Sequence, residues 1–102
     1  MPRFEMYLFM ALEDEDDDVR TEEYEMVCFV NNPLDVDEVN QVAHDVVEKH
    51  IEEAEGLVLF GTAGIMVKGA EILNLAFRNK DIDSEKIDEI MDLYSHESKT
   101  IH

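Results

Sequence analysis

"LVLFGTAGIMVKGAEILNLAF", residues 57–77, is the most apolar stretch of the chain, and its reading decides the fold. It approaches the length of a membrane span, but Lys68, Glu71 and Asn74 interrupt it and three glycines divide it, so it reads as protein interior. Leu57 to Phe60 is short, continuously apolar and preceded by Gly56, the pattern of a strand buried on both faces. The remainder reads as a helix from about Ala63 to Arg78, although Gly61, Gly64 and Gly69 weaken helix and leave "GIMVKG", 64–69, readable as a strand. On the helical reading "GTAG", 61–64, is a tight strand-to-helix turn. It lacks the Lys-Ser/Thr of a phosphate-binding loop and the full dinucleotide fingerprint.

Upstream, Phe4, Met6, Leu8, Met10 and Leu12 alternate with Glu5, Tyr7, Phe9 and Ala11, a strand with apolar bulk on both faces. Tyr24, Met26, Cys28 and Val30 alternate in the same way with Glu25, Val27 and Phe29, so the two segments pair as an antiparallel hairpin. Its tip, about residues 13–23, holds the acidic run Glu13 to Asp18. "NNPLD", 31–35, ends the second strand, and Asp35 caps a helix running to about Ala54. Val36, Val39, Ala43, Val46, Val47, His50, Ile51 and Ala54 share one face of that helix, and Gly56 stops it. Downstream, Asp83 or Ser84 caps a further helix whose buried stripe is Ile87, Ile90, Met91 and Tyr94, with a frayed tail at 95–102.

These elements predict one compact α+β domain over residues 1–102, in the order ββαβαα. The hairpin and the short buried strand form a three-stranded sheet, the buried strand is reached by a βαβ-like crossover, and three helices pack mainly on one face.

The chain carries 26 acidic and 8 basic residues, a formal net charge of −18. That charge opposes compaction by self-repulsion, and it disfavours direct binding to nucleic acid or to an anionic membrane, both of which reward Lys and Arg. The acid is regional: −8 over residues 1–33, −7 over 34–56, +2 over 57–80 and −5 over 81–102. On the first helix Asp37, Glu38, Asp45, Glu48, Glu52 and Glu55 fall within about a 100° arc opposite the valine face. Glu85, Asp88, Glu89 and Asp92 repeat the stripe on the last helix. Like charges three and four residues apart destabilise a helix, so a basic partner is the natural complement. A solvated acidic face without a partner is the plain alternative.

Little else points to chemistry. The four histidines have no HExxH spacing and the lone Cys28 builds no common zinc cluster, so neither metal nor cofactor is expected. Asp14, Asp16 and Asp18 match the first acidic positions of a calcium loop, but Val19 stands where its turn glycine belongs. His50, on the apolar face of the first helix, reads as a hydrogen-bonded core histidine rather than a base. No Ser/His/Asp arrangement is recognisable, and the chain is expected not to be an enzyme. One cysteine and a start without a secretory pattern suit a reducing, cytoplasmic setting.

The expectation is therefore a noncatalytic acidic protein that inhibits or regulates a basic nucleic-acid-binding protein by presenting carboxylates where phosphates would lie. Virus-encoded DNA mimics directed against host nucleases or CRISPR effectors behave in this way; the comparison is one of physical behaviour, and no motif carries it. Asp14, Asp16, Asp17 and Asp18 would steer association. The alternative is a structural or assembly protein whose acid keeps it dissolved, self-associating as a homodimer through Tyr7, Phe9, Val27 and Phe29 on the sheet face opposite the methionines.

Overall fold

The computed structural model describes residues 2–100, with side chains through residue 93. Its elements are β1 (Arg3–Glu13), β2 (Val19–Phe29), α1 (Val36–Glu53), β3 (Leu57–Val67), β4 (Ala70–Arg78) and α2 (Ser84–Thr100). The sheet is four-stranded and antiparallel throughout, in the order β2-β1-β3-β4. The α+β class stands, but four strands and two helices replace the expected three and three.

The difference lies in residues 61–78, a hairpin rather than a turn and a helix. Leu73, Leu75 and Phe77 are half-buried and alternate with exposed Ile72, Asn74, Ala76 and Arg78, a period of two that no helix would produce. Val67 pairs with Ala70, and the two residues between them both take positive φ, Lys68 at 52° and Gly69 at 81°. That is the two-residue turn whose twist matches the flanking strands. "GTAG" is mid-strand. A Cβ on Gly61 would collide with the Phe77 ring and the Phe9 carbonyl, so this glycine serves close packing within the sheet.

The chain crosses from β2 to β3 through α1, and because both strands are antiparallel to β1 they run parallel to each other with β1 between them. Phe4, Met6, Leu8, Met10 and Leu12 of β1 are almost fully buried and pack with Val39, Ala43 and Val47 of α1. The two helices do not share that face. Ile87 of α2 packs with Ala11, Leu59 and Phe60, supported by Phe9, Val19, Ile82 and Ile90, on the opposite side. A bulge makes this second core: the register passes from Ala11↔Phe60 to Leu12↔Val58, so Leu59 is skipped and the neighbours Leu59 and Phe60 both enter it. Backbone helix continues through residues 95–100, where the sequence suggested fraying; residues 101–102 lie outside the described residues.

Candidate binding surfaces

The start of α1 is fixed by carboxylates. Asp35 Oδ1 accepts the amides of Asp37 and Glu38 at 3.1 and 3.3 Å. Glu38 reaches back to accept the amides of Asn31 and Asn32 at 3.0 and 2.8 Å, and these backbone bonds hold its carboxyl below the usual range. Glu38 therefore fastens the β2–α1 connection while standing in the acidic arc. Beyond it Asp37, Asp45, Glu48 and Glu52 are exposed, with Asp45 accepting from Gln41 at 3.0 Å. Glu55 lies past the helix end, where its carbonyl accepts from the Arg20 guanidinium.

The described residues hold three ion pairs, Arg20–Glu22, Arg78–Asp88 and Lys86–Glu13, and none involves an α1 carboxylate. On α2, Glu85, Asp88, Glu89 and Asp92 are all exposed, with Asp88 held 3.1 Å from Arg78. The two acidic stripes thus look outward from opposite sides of the sheet.

The acidic tip is a built turn, and it is narrower than the sequence suggested, because pairing reaches Glu13↔Val19 and leaves Asp14 to Asp18 as the loop. Asp17 donates its amide to the Asp14 carbonyl at 3.1 Å and has φ 62°, a type I turn closed by a left-handed residue. Asp14 Oδ1 accepts the amides of Asp16 and Asp18 at 2.9 and 3.0 Å. Of the candidate steering residues, Asp14 is thereby occupied within the turn, while Asp16, Asp17 and Asp18 are exposed.

The apolar residues singled out in the sequence divide similarly. Tyr7, Val27 and Phe29 lie open on the second face at 44, 47 and 57% exposure, whereas Phe9 is half-buried with its ring centroid 6.4 Å from that of Phe60. α2 covers one end of this face and leaves the other bare. His50 is half-buried, with Nδ1 2.9 Å from the Val46 carbonyl and its ring 5.0 Å from that of Tyr24. Burial pushes the Cys28 thiol up, keeping it protonated in the core.

Sequence reasoning missed the Lys86–Glu13 pair, because the two residues meet only once α2 is placed on the second face. Among the described residues, no group of three or more His, Cys, Asp or Glu is arranged to hold a metal, and no helix is long and apolar enough to cross a membrane. Comparison with protein-family models, curated proteins and solved structures gives no match.

Proposed function

We propose that this chain is a noncatalytic protein that binds a basic nucleic-acid-binding protein through α1, competing with nucleic acid and so inhibiting or regulating its partner. The observation that carries the reading is the row of α1 carboxylates, none of which is in an ion pair among the described residues. From Asp37 to Glu52 the five acids Asp37, Glu38, Asp45, Glu48 and Glu52 span about 22 Å of helix axis, unevenly and at a mean of about 6 Å, against about 3.4 Å per phosphate on one DNA strand. A basic cleft meeting this face gains much of the counterion release and steering that nucleic acid provides. α1 is favoured over α2 because, among the described residues, none of its acids is in an ion pair while Asp88 of α2 is, and because its first turn is anchored.

Capture of partners from the native host by wild-type chain and by Asp45→Lys/Glu48→Lys/Glu52→Lys, at low and raised salt and with competing duplex DNA, tests this. A captured basic protein should be released by DNA and by salt and should be lost by the triple variant. Undiminished binding by the variant, or indifference to DNA, would overturn the reading.

A second reading, self-association through the open sheet face, is supported by the exposure of Tyr7, Val27 and Phe29. It expects a dimer by light scattering that Phe29→Ser dissociates, and a wild-type monomer at every concentration would remove it.

A further inference from the structure

β2 is an edge strand, and its phase is set by one bond: the Val30 amide donates to the Pro2 carbonyl at 3.1 Å. Hydrogen-bonded pairs alternate along an antiparallel ladder, so the even-numbered residues of β2 bond β1. The backbone N–H and C=O groups of Val19, Thr21, Glu23, Glu25, Val27 and Phe29 then point away from the sheet. The same odd-numbered residues carry the side chains of the open second face.

Natural edges are usually blunted by bulges, prolines, lysines or shortness. β4, the other edge, is shorter and bulges opposite Met66. β2 has none of these devices: it runs eleven residues in unbroken register with β1, without proline or lysine. What guards it is negative charge. Antiparallel pairing of two copies about Tyr24 would set Glu23 directly against Glu25, like charges in opposed positions. Glu22 is already occupied by the Tyr24 hydroxyl at 2.6 Å and by Arg20 at 3.4 Å, which leaves Glu23 and Glu25 as the acids facing outward on the open side.

We propose that β2 accepts a strand from the basic partner, extending the sheet by one strand, with Lys or Arg opposite Glu23 and Glu25 and apolar residues opposite Val27 and Phe29. Main-chain bonds along the edge supply affinity that any strand could claim, and the carboxylates select a basic one over a second copy of this acidic chain. The inference rests on the reading of a basic partner but engages a surface other than the outer face of α1.

The probe is a nine-residue peptide, Thr-Val-Thr-Val-Thr-Lys-Thr-Lys-Thr, ordered for antiparallel addition, with a control in which glutamate replaces lysine. Binding is followed by amide hydrogen exchange on the full chain. The lysine peptide should protect Glu23, Glu25 and Val27, whose amides face outward, while Glu22, Tyr24 and Met26 are protected without it. Glu23→Lys/Glu25→Lys should weaken binding about tenfold. Glu25→Pro removes an outward donor that β1 does not use and should abolish the new protection, and the lysine variant keeps the test decisive if the proline variant fails to fold.

Peptide signals confined to α1, equal binding of the glutamate control, or β2 protection that grows with chain concentration alone would each overturn the proposal. Asp45→Lys/Glu48→Lys/Glu52→Lys should still bind the peptide. Loss of β2 protection alongside intact, α1-dependent partner capture would sink the edge and leave the function standing; β2 protection by the lysine peptide alongside capture that ignores the α1 reversals would sink α1 as the partner's site and leave the edge standing.

Discussion

The Lys86 ammonium of α2 lies 2.7 Å from the Glu13 carboxylate at the end of β1, fastening the helix to the second face of the sheet beside the fully buried Ile87. Lys86→Ala should therefore speed amide exchange over residues 85–93 while leaving β1 and β3 unchanged, and raised salt should act on the wild type in the same direction. The hydrogen bond to Glu13 raises the Lys86 pKa. The pair's contribution is thus complete below the ordinary lysine value and is lost as pH rises through the raised one. Exchange unchanged by the substitution would show that Ile87 and Ile90 hold α2 alone.

The β3–β4 turn offers a test of backbone cost. Gly69, with φ 81° and open space where a Cβ would stand, should lose about 1 kcal/mol on change to Ala, through conformation alone. Lys68→Asn should gain roughly 0.5 kcal/mol, since Asn tolerates the left-handed region that lysine occupies at φ 52°. Urea denaturation of both variants measures these shifts.

Gly61→Ala should cost more than Gly69→Ala, roughly 1–3 kcal/mol, because the methyl meets the Phe77 ring and the Phe9 backbone instead of empty space. Phe77→Leu should recover part of that loss in the double variant, whereas a strictly additive pair would mean the ring is not the obstacle.

Glu38 should sharpen the acid limit of stability. Its folded pKa is lowered by the Asn31 and Asn32 amides, so its contribution is complete above the ordinary glutamate value and is lost as pH falls through the lowered one. Glu38→Gln should lower stability at neutral pH and flatten the acid side of the stability–pH curve. An unchanged curve would place the anchoring elsewhere.

Within the tip, structure and steering separate. Asp14→Ala removes the acceptor for two turn amides and should reduce stability by about 1 kcal/mol. Asp16→Asn/Asp18→Asn should leave stability within about 0.5 kcal/mol of the wild type and chiefly slow association with a basic partner, as stopped-flow mixing would read.

The first hairpin and both helices were legible because each carries one clean period: Phe4 to Leu12 in twos, Val36, Val39, Ala43, Val46 and Val47 at helical spacing. β3 was half legible, since a strand covered on both sides by Met10-side and Ile87-side cores shows no alternation. β4 did alternate through Leu73, Leu75 and Phe77, but three glycines and a continuous apolar run hid where the period changed, and Lys-Gly is a weaker hairpin signal than Asn-Gly. The sidedness of α2 was written only in long-range packing, in Ile87 meeting Ala11. Among the candidate surfaces, the sequence marked the acids of α1 but also placed Glu55 there, which lies past the helix end; that Glu38 and Asp14 bind backbone amides appeared only with the turns in place.

Placing α1 and α2 on opposite sides of one sheet also isolates their charges. With the helices packed on opposite faces and each acidic row directed outward, the sheet and its two apolar cores stand between the rows, which puts them farther apart than the screening length of about 8 Å. Protonating, pairing or reversing carboxylates on one side is then scarcely felt on the other. Substitutions on the two helices should combine additively, leaving each face free to change its charge pattern without retuning its counterpart.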